Sequence, residues 1–262
     1  MAFITLLFHT RFWDFCQILD NKCRKIALSV ENLTEFLAYI KKMLYLCGGF
    51  ETQVMQNILR QFGNIPITTS VLRTVLPPRT SFTHFVSSLV DANQLIRIKR
   101  GLYVVSPDIS GKSVNPLLVA NSLYGPSYIS YGTALNHYGL IDDVTQRICS
   151  ATTKCAKTYT TPIGIFEYVH LPAGYYSVGI TQVRGEDYSY LIATPEKALC
   201  DMIIHSSWVN LRSRNEALTY LEEDLRFDIE ALRTFDVRIL EDCARFGIKA
   251  NSIQQLIRLV QS

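Results

Sequence analysis

The run Leu95-Ile96-Arg97-Ile98-Lys99-Arg100-Gly101-Leu102-Tyr103-Val104-Val105 narrows the possible folds more than any other stretch of this chain. Two β-rich segments meet at Lys99-Arg100-Gly101, and a glycine able to take positive φ closes them into a hairpin. Simple alternation along the first segment sets Arg97 and Lys99 on one face and Ile96 and Ile98 on the other.

Three helix signals precede the hairpin. The segment 52–62 places Val54, Ile58, Leu59 and Phe62 on one side and ends at Gly63-Asn64, with Pro66 beyond. A second helix starts from Thr68 or Thr69 as N-cap, presents Val71, Leu72 and Val75, and stops at Pro77-Pro78. Thr80 caps a third, where Phe82, Phe85, Val86, Leu89 and Val90 recur at i, i+3, i+4, i+7 and i+8. The opposite arc of that helix collects Thr83, His84, Ser87, Ser88 and Asp91.

Three helices and a basic hairpin in this order read as a winged helix-turn-helix. Its third helix is expected in the major groove of double-stranded DNA. There Arg79, Thr80, Ser81, Thr83, His84 and Ser87 reach base edges. Arg97, Lys99 and Arg100 on the wing are expected to meet phosphates or the minor groove. Such a fold also binds proteins, and a merely solvated polar face is the plainer alternative. Charge gathered at the hairpin favours DNA.

The charge is unevenly spread. The net value is only +3, yet residues 51–107 carry six basic and two acidic residues, while 108–262 carry fourteen and seventeen. A polyanion-binding module joined to a mildly acidic domain of another kind fits that asymmetry. The polar stretch 106–113, Ser-Pro-Asp-Ile-Ser-Gly-Lys-Ser, reads as the linker. The expected domains are therefore an extension over 1–50, the winged helix over 51–107, and an α/β domain with a helical tail over 108–262. For the extension two readings stay open: a natural start at Met43 or Met55, or an added helical arm over 33–46. The apolar run 1–8 is too short for a membrane span and lacks the flanks of a secretory signal. Seven cysteines, an odd number without zinc-ligand spacing, read as reduced and mostly buried thiols of a cytoplasmic protein.

Beyond the linker, Asn115-Pro116 opens one helix and 131–138 forms another, ended by Gly139. Strands are expected over 147–152, 163–171, 176–182 and 188–192. Thr194-Pro195-Glu196 opens a helix with Ala198, Leu199, Met202 and Ile203 inward; Glu196, Lys197 and Asp201 are expected on its solvated face. The rest, from Ser213, is helical. The fold class is α+β: a winged helix-turn-helix, then a mixed α/β domain, then a helical C-terminal tail.

No catalytic set emerges from these residues. His137 beside Asp142 and Asp143 reads as a core or surface histidine before it reads as an acid–base or metal site. Glu167-Tyr168-Val169 and Asp187-Tyr188-Ser189 lack the lysine of a nuclease D/E-x-K. Neither a phosphate-binding P-loop nor a nucleophile elbow occurs. The domain is read as non-enzymatic, with no cofactor and no metal.

Three segments in this order carry a resemblance. They are Ile98-Lys99-Arg100-Gly101-Leu102-Tyr103-Val104, Tyr128-Ile129-Ser130-Tyr131-Gly132-Thr133-Ala134-Leu135-Asn136-His137-Tyr138-Gly139-Leu140 and Ile192-Ala193-Thr194-Pro195-Glu196-Lys197-Ala198-Leu199-Cys200-Asp201. Over roughly 51–205 the chain resembles the AbiEi-type antitoxins of type IV toxin–antitoxin systems, the abortive-infection antitoxins and transcriptional regulators. The resemblance implies an N-terminal domain that represses its own operon. It also implies a C-terminal domain that neutralises a nucleotidyltransferase-like toxin, with or without a stable complex. Residues 1–50 have no place in the family pattern. The alternatives are a stand-alone regulator whose C-terminal domain dimerises or senses a ligand, and, further off, a metal-dependent nuclease. A homo-oligomer on DNA stays open as well.

Overall fold

A computed structural model describes residues 53–142, 147–247 and 249–261. The expected arm over 33–46, three of the seven cysteines and Asp143 lie outside the described residues. The chain divides into two compact units at residues 57 and 58, and the second is Ile58–Ser262. The chain is mixed α+β.

A helix over 53–60 (α1) buries Met55 and Leu59. After Gly63, at φ +55, the chain forms β1 (Ile67–Thr68) and α2 (Thr69–Val75). Thr68 caps α2 through its hydroxyl, which accepts from Val71 N at 3.4 Å. Val71 and Val75 are exposed; Leu72 and Leu76, four residues apart, make the buried stripe instead. A seven-residue helix has room for only one such row. Next comes α3 (Phe82–Asp91), with Ser81 and not Thr80 at its N-cap position. Phe82, Val86 and Leu89 are buried along the expected stripe.

The hairpin follows as β2 (Leu95–Lys99) and β3 (Leu102–Val105). Gly101 sits between them at φ +84, as its place in the turn requires. Together with β1 they make a small antiparallel sheet in the order β1-β3-β2.

The stretch read as a linker is folded and packed. It holds a short helix, α4 (Pro107–Ser110), and buries Ser106, Ile109 and Ser110. Arg60 Nε donates to Ile109 O at 3.1 Å, and Asn64 Nδ2 to Ser113 O at 3.3 Å. Lys112 pairs with Asp187 at 2.5 Å. Glycine, serine and proline at this joint serve tight turns and a helix start rather than freedom.

Then come α5 (Pro116–Leu123), β4 (Ser127–Ile129), α6 (Tyr131–His137), β5 (Arg147–Thr152), β6 (Lys157–Thr161) and β7 (Gly164–His170). They are followed by α7 (Ala173–Tyr176), β8 (Ile180–Arg184), β9 (Ser189–Ala193) and α8 (Pro195–His205). The six strands β4 to β9 form one mixed sheet in the order β6-β7-β5-β4-β9-β8. Pairings β5–β7 and β4–β9 are parallel and the other three antiparallel. Because side chains alternate across a strand, Tyr168 and Tyr128 leave opposite faces. Tyr168 donates to Ala120 O of α5 at 2.6 Å, and Tyr128 to Asp201 of α8 at 3.0 Å. The sheet is thus covered on both sides.

The tail is helical as expected: α9 (Arg214–Thr219), a π turn over Tyr220–Asp224, a 3₁₀ turn over Ile229–Thr234, α10 (Val237–Phe246) and α11 (Ala250–Val260). Lys249 ties it to the end of α8 by donating to the carbonyls of Ile203, Ser206 and Val209. Among the described residues, no helix is long and apolar enough to cross a membrane.

Candidate nucleic-acid interface

The polar arc of α3 faces outward. Thr83, His84, Ser87, Ser88 and Asp91 are all exposed, as are Arg79, Thr80 and Ser81 ahead of the helix. Two arginines bracket its first turn on aromatic supports. Arg79 lies over the Phe85 ring at 5.2 Å, and Arg73, from the last turn of α2, over Phe82 at 5.2 Å. Each guanidinium is held against its ring face by cation–π attraction. Arg73 is absent from the sequence-derived set. It sits nine residues before Phe82, and only the turn through Pro77-Pro78 brings the two together. The one acidic side chain on this face, Asp91, closes the helix at its far end.

On the hairpin the expected pairing of Arg97 with Lys99 fails. Arg97 stands opposite Tyr103 and Lys99 opposite Leu102. Two steps along β2 match one step along β3, so Ile98 is the extra residue of a β-bulge. Tyr103 and Leu102 are successive residues and point to opposite faces; so do Arg97 and Lys99. Arg97 and the turn residue Arg100 are exposed. Lys99 is half-buried, donates from Nζ to the carbonyl of Leu123, and lies 6.0 Å from the Tyr159 ring centroid. The structure therefore groups Arg73, Arg79, Thr83, His84 and Ser87 around α3 and exposes Arg97 and Arg100, while Lys99 turns toward the larger sheet.

A second polar constellation escaped the sequence reading. Lys197 and Asp201, expected in solvent, are fully buried, and Glu196 nearly so. The i,i+4 spacing on α8 is right for a pair, but the helix presents it to the sheet. Lys197 Nζ lies 3.2 Å from Asp201 Oδ1 and donates to Tyr175 O at 3.0 Å. Asp201 accepts from Tyr175 OH at 2.7 Å, Ser130 Oγ at 2.6 Å and Tyr128 OH at 3.0 Å. Burial pushes the Lys197 ammonium below its usual range, against the attraction of Asp201. Burial and the same carboxylate push Tyr128 and Tyr175 well above theirs. Every group in this cluster is closed to solvent, so its work is to hold α8 to β4 and α7. Glu196 does likewise for α10, accepting from Asp236 N at 2.9 Å. The sequence carried one overlooked signal: two tyrosines and a serine that need partners, beside a helix with an unspent Lys–Asp pair.

His137 is exposed at the end of α6, beside the Tyr138 and Tyr190 rings at 5.3 and 6.3 Å. Glu167 lies 3.7 Å from Arg147. Among the described residues, no three His, Cys, Asp or Glu side chains converge as metal ligands. Cys149, Cys155, Cys200 and Cys243 form no disulfide, and Cys200 and Cys243 are buried.

No protein-family model and no curated protein matches the sequence. Among solved structures, the crystal structure of RV2827C protein from Mycobacterium tuberculosis is similar over 80% of this chain and 81% of that one. The identity is 12% and the TM-score 0.43.

Proposed function

We propose that residues 51–107 form a winged helix-turn-helix that binds double-stranded operator DNA, in a regulator of the AbiEi antitoxin type. One observation carries the DNA reading: the exposed start of α3, where Arg73 and Arg79 flank Thr83, His84 and Ser87. Hydroxyl, imidazole and guanidinium groups on one helix face are the chemistry that meets base edges and the flanking phosphates. Arg100 at the hairpin turn and Arg97 on its exposed face are the wing's contacts. The antitoxin part of the reading is supported by the three sequence segments that resemble that family. In that reading residues 108–262 neutralise a nucleotidyltransferase-like toxin.

The test of DNA binding is a titration of the full chain against its own upstream duplex and a scrambled one at several salt concentrations. Arg100→Ala should weaken both duplexes alike and lower the log–log salt slope by about 0.9. Removing a base contact on α3, for instance with His84→Ala or Ser87→Ala, should cost about 1–3 kcal/mol on the upstream duplex and little on the other. A wild-type chain that binds neither duplex at low salt refutes the reading. Co-expression with an adjacent nucleotidyltransferase frame, scored for growth, tests the antitoxin role separately.

A further inference from the structure

We infer that Lys99 is a positioning residue, a strut that fixes the wing to the larger sheet, and that the bulge at Ile98 exists to aim it there. The inference rests on the DNA-binding reading only for the word wing; the strut itself is a property of the unliganded protein.

Four observations converge on it. The bulge reverses the face of everything after Ile98, which takes Lys99 away from Arg97 and sets it opposite Leu102. On that face the hairpin is buried in the larger domain, for Ile98, Leu102 and Val104 belong to the same core as Leu118, Val119 and Leu123. Lys99 Nζ then meets the Leu123 carbonyl in the last residue of α5, one of the orphan acceptors every helix leaves at its C-terminus. A cation there also meets the negative end of the helix dipole.

The fourth observation is the ring cluster around the strut. Tyr159, on the edge strand β6, lies 5.8 Å from Tyr124 and 5.9 Å from Tyr168 between ring centroids. Lys157 Nζ stands 4.9 Å from the Tyr159 ring, and Lys154 Nζ 5.4 Å from that of Tyr124. The Lys99 stem enters a site already built from α5 and β6, with its acceptor and its ring in place. The ammonium's bond to the Leu123 carbonyl is thus made within the protein, without DNA.

The two roles differ in what they predict. A lysine that neutralises a phosphate contributes about 0.9 to the salt slope, whereas a strut contributes nothing to it. The experiment compares Lys99→Met, which keeps the stem and drops the charge, with Lys99→Arg and Arg100→Ala in the full chain. Amide hydrogen exchange over residues 95–105 is measured without DNA, and salt-dependent binding with it. Lys99→Met should speed hairpin exchange several-fold. It should also weaken DNA binding by the same factor at every salt concentration, with an unchanged slope. Lys99→Arg, which retains a donor for the Leu123 carbonyl, should restore both. Unchanged hairpin exchange together with a slope lowered as in Arg100→Ala overturns the strut. Because exchange is read without DNA, a wild type that fails to bind DNA sinks the functional reading and leaves the strut to be decided on exchange alone.

Discussion

At the scale of single residues, the buried Lys197–Asp201 pair dominates. Taking either charge out of the pair strands the other in a site closed to solvent, at a cost of about 3–5 kcal/mol. Lys197→Met should therefore destabilise the chain by that order, and Asp201→Asn similarly. The double variant should cost clearly less than the sum, since no charge is left unpaired. Denaturant unfolding of the four proteins measures this cycle, and single-variant losses below about 1 kcal/mol contradict the pairing. The tyrosines around the pair make a second prediction, about alkali. Tyr128, Tyr131 and Tyr175 are all raised above the ordinary value of 10, first by burial. Below pH about 10 both states keep these protons; above it the unfolded chain sheds protons that the folded chain retains, so stability falls as pH rises. Lys197 acts in the opposite sense, because its folded value is lowered: its contribution rises with pH and is complete near 10.5. The tyrosine effect is thus cleanest above pH about 10.5. Unfolding midpoints there should drop steeply, and Tyr128→Phe should flatten the slope; a midpoint insensitive to pH in that range refutes the assignment.

At the scale of elements, two glycines with left-handed backbone should behave differently. Gly101, at φ +84, has only Thr69 Oγ1 within reach of an added Cβ, at 3.7 Å. Gly179, at φ +60, would drive a Cβ to 2.8 Å from Lys197 Cβ and 3.0 Å from Ile239 Cγ2. Gly101→Ala should cost only the backbone strain, about 1 kcal/mol, while Gly179→Ala adds a collision inside the core. Thermal unfolding ranks them, and equal losses would show that the α8 contact yields freely. The same scale shows which elements could be read from residue order. The stripe 82–90, the Asn115 and Thr194 caps and the Gly139 stop declare themselves locally, and all are present. Strands Ser127–Ile129 and Lys157–Thr161 did not, the first being three residues long and the second mostly polar. The segment 176–182 splits between α7 and β8, because Gly179 breaks it where α8 comes close.

At the scale of the molecule, the hairpin and the larger sheet share a core. Without the residues that follow the hairpin, Ile98, Leu102 and Val104 would be left bare. Urea unfolding of the full chain should show the hairpin and the six-stranded sheet melting together, with circular dichroism and exchange of hairpin amides giving coincident midpoints. An excised 51–107 fragment should stay largely unfolded. A separate early transition in the hairpin would contradict the shared core.

Residue order by itself determined the helical stripe of α3, its polar outer arc, the positive-φ turn at Gly101 and the helix starts at Asn115 and Thr194. Each depends on neighbours within a turn or two, where periodicity and capping act. Only tertiary structure decided the faces of Arg97 and Lys99, since a bulge is a register property of two strands and leaves no mark in one. It alone decided that Lys197 and Asp201 are core, because an i,i+4 ion pair looks the same on paper whether water or a sheet lies beneath it. Arg73 joins the α3 face for the same reason. Its neighbour Phe82 is distant along the chain and is brought close by a turn whose path no local rule specifies.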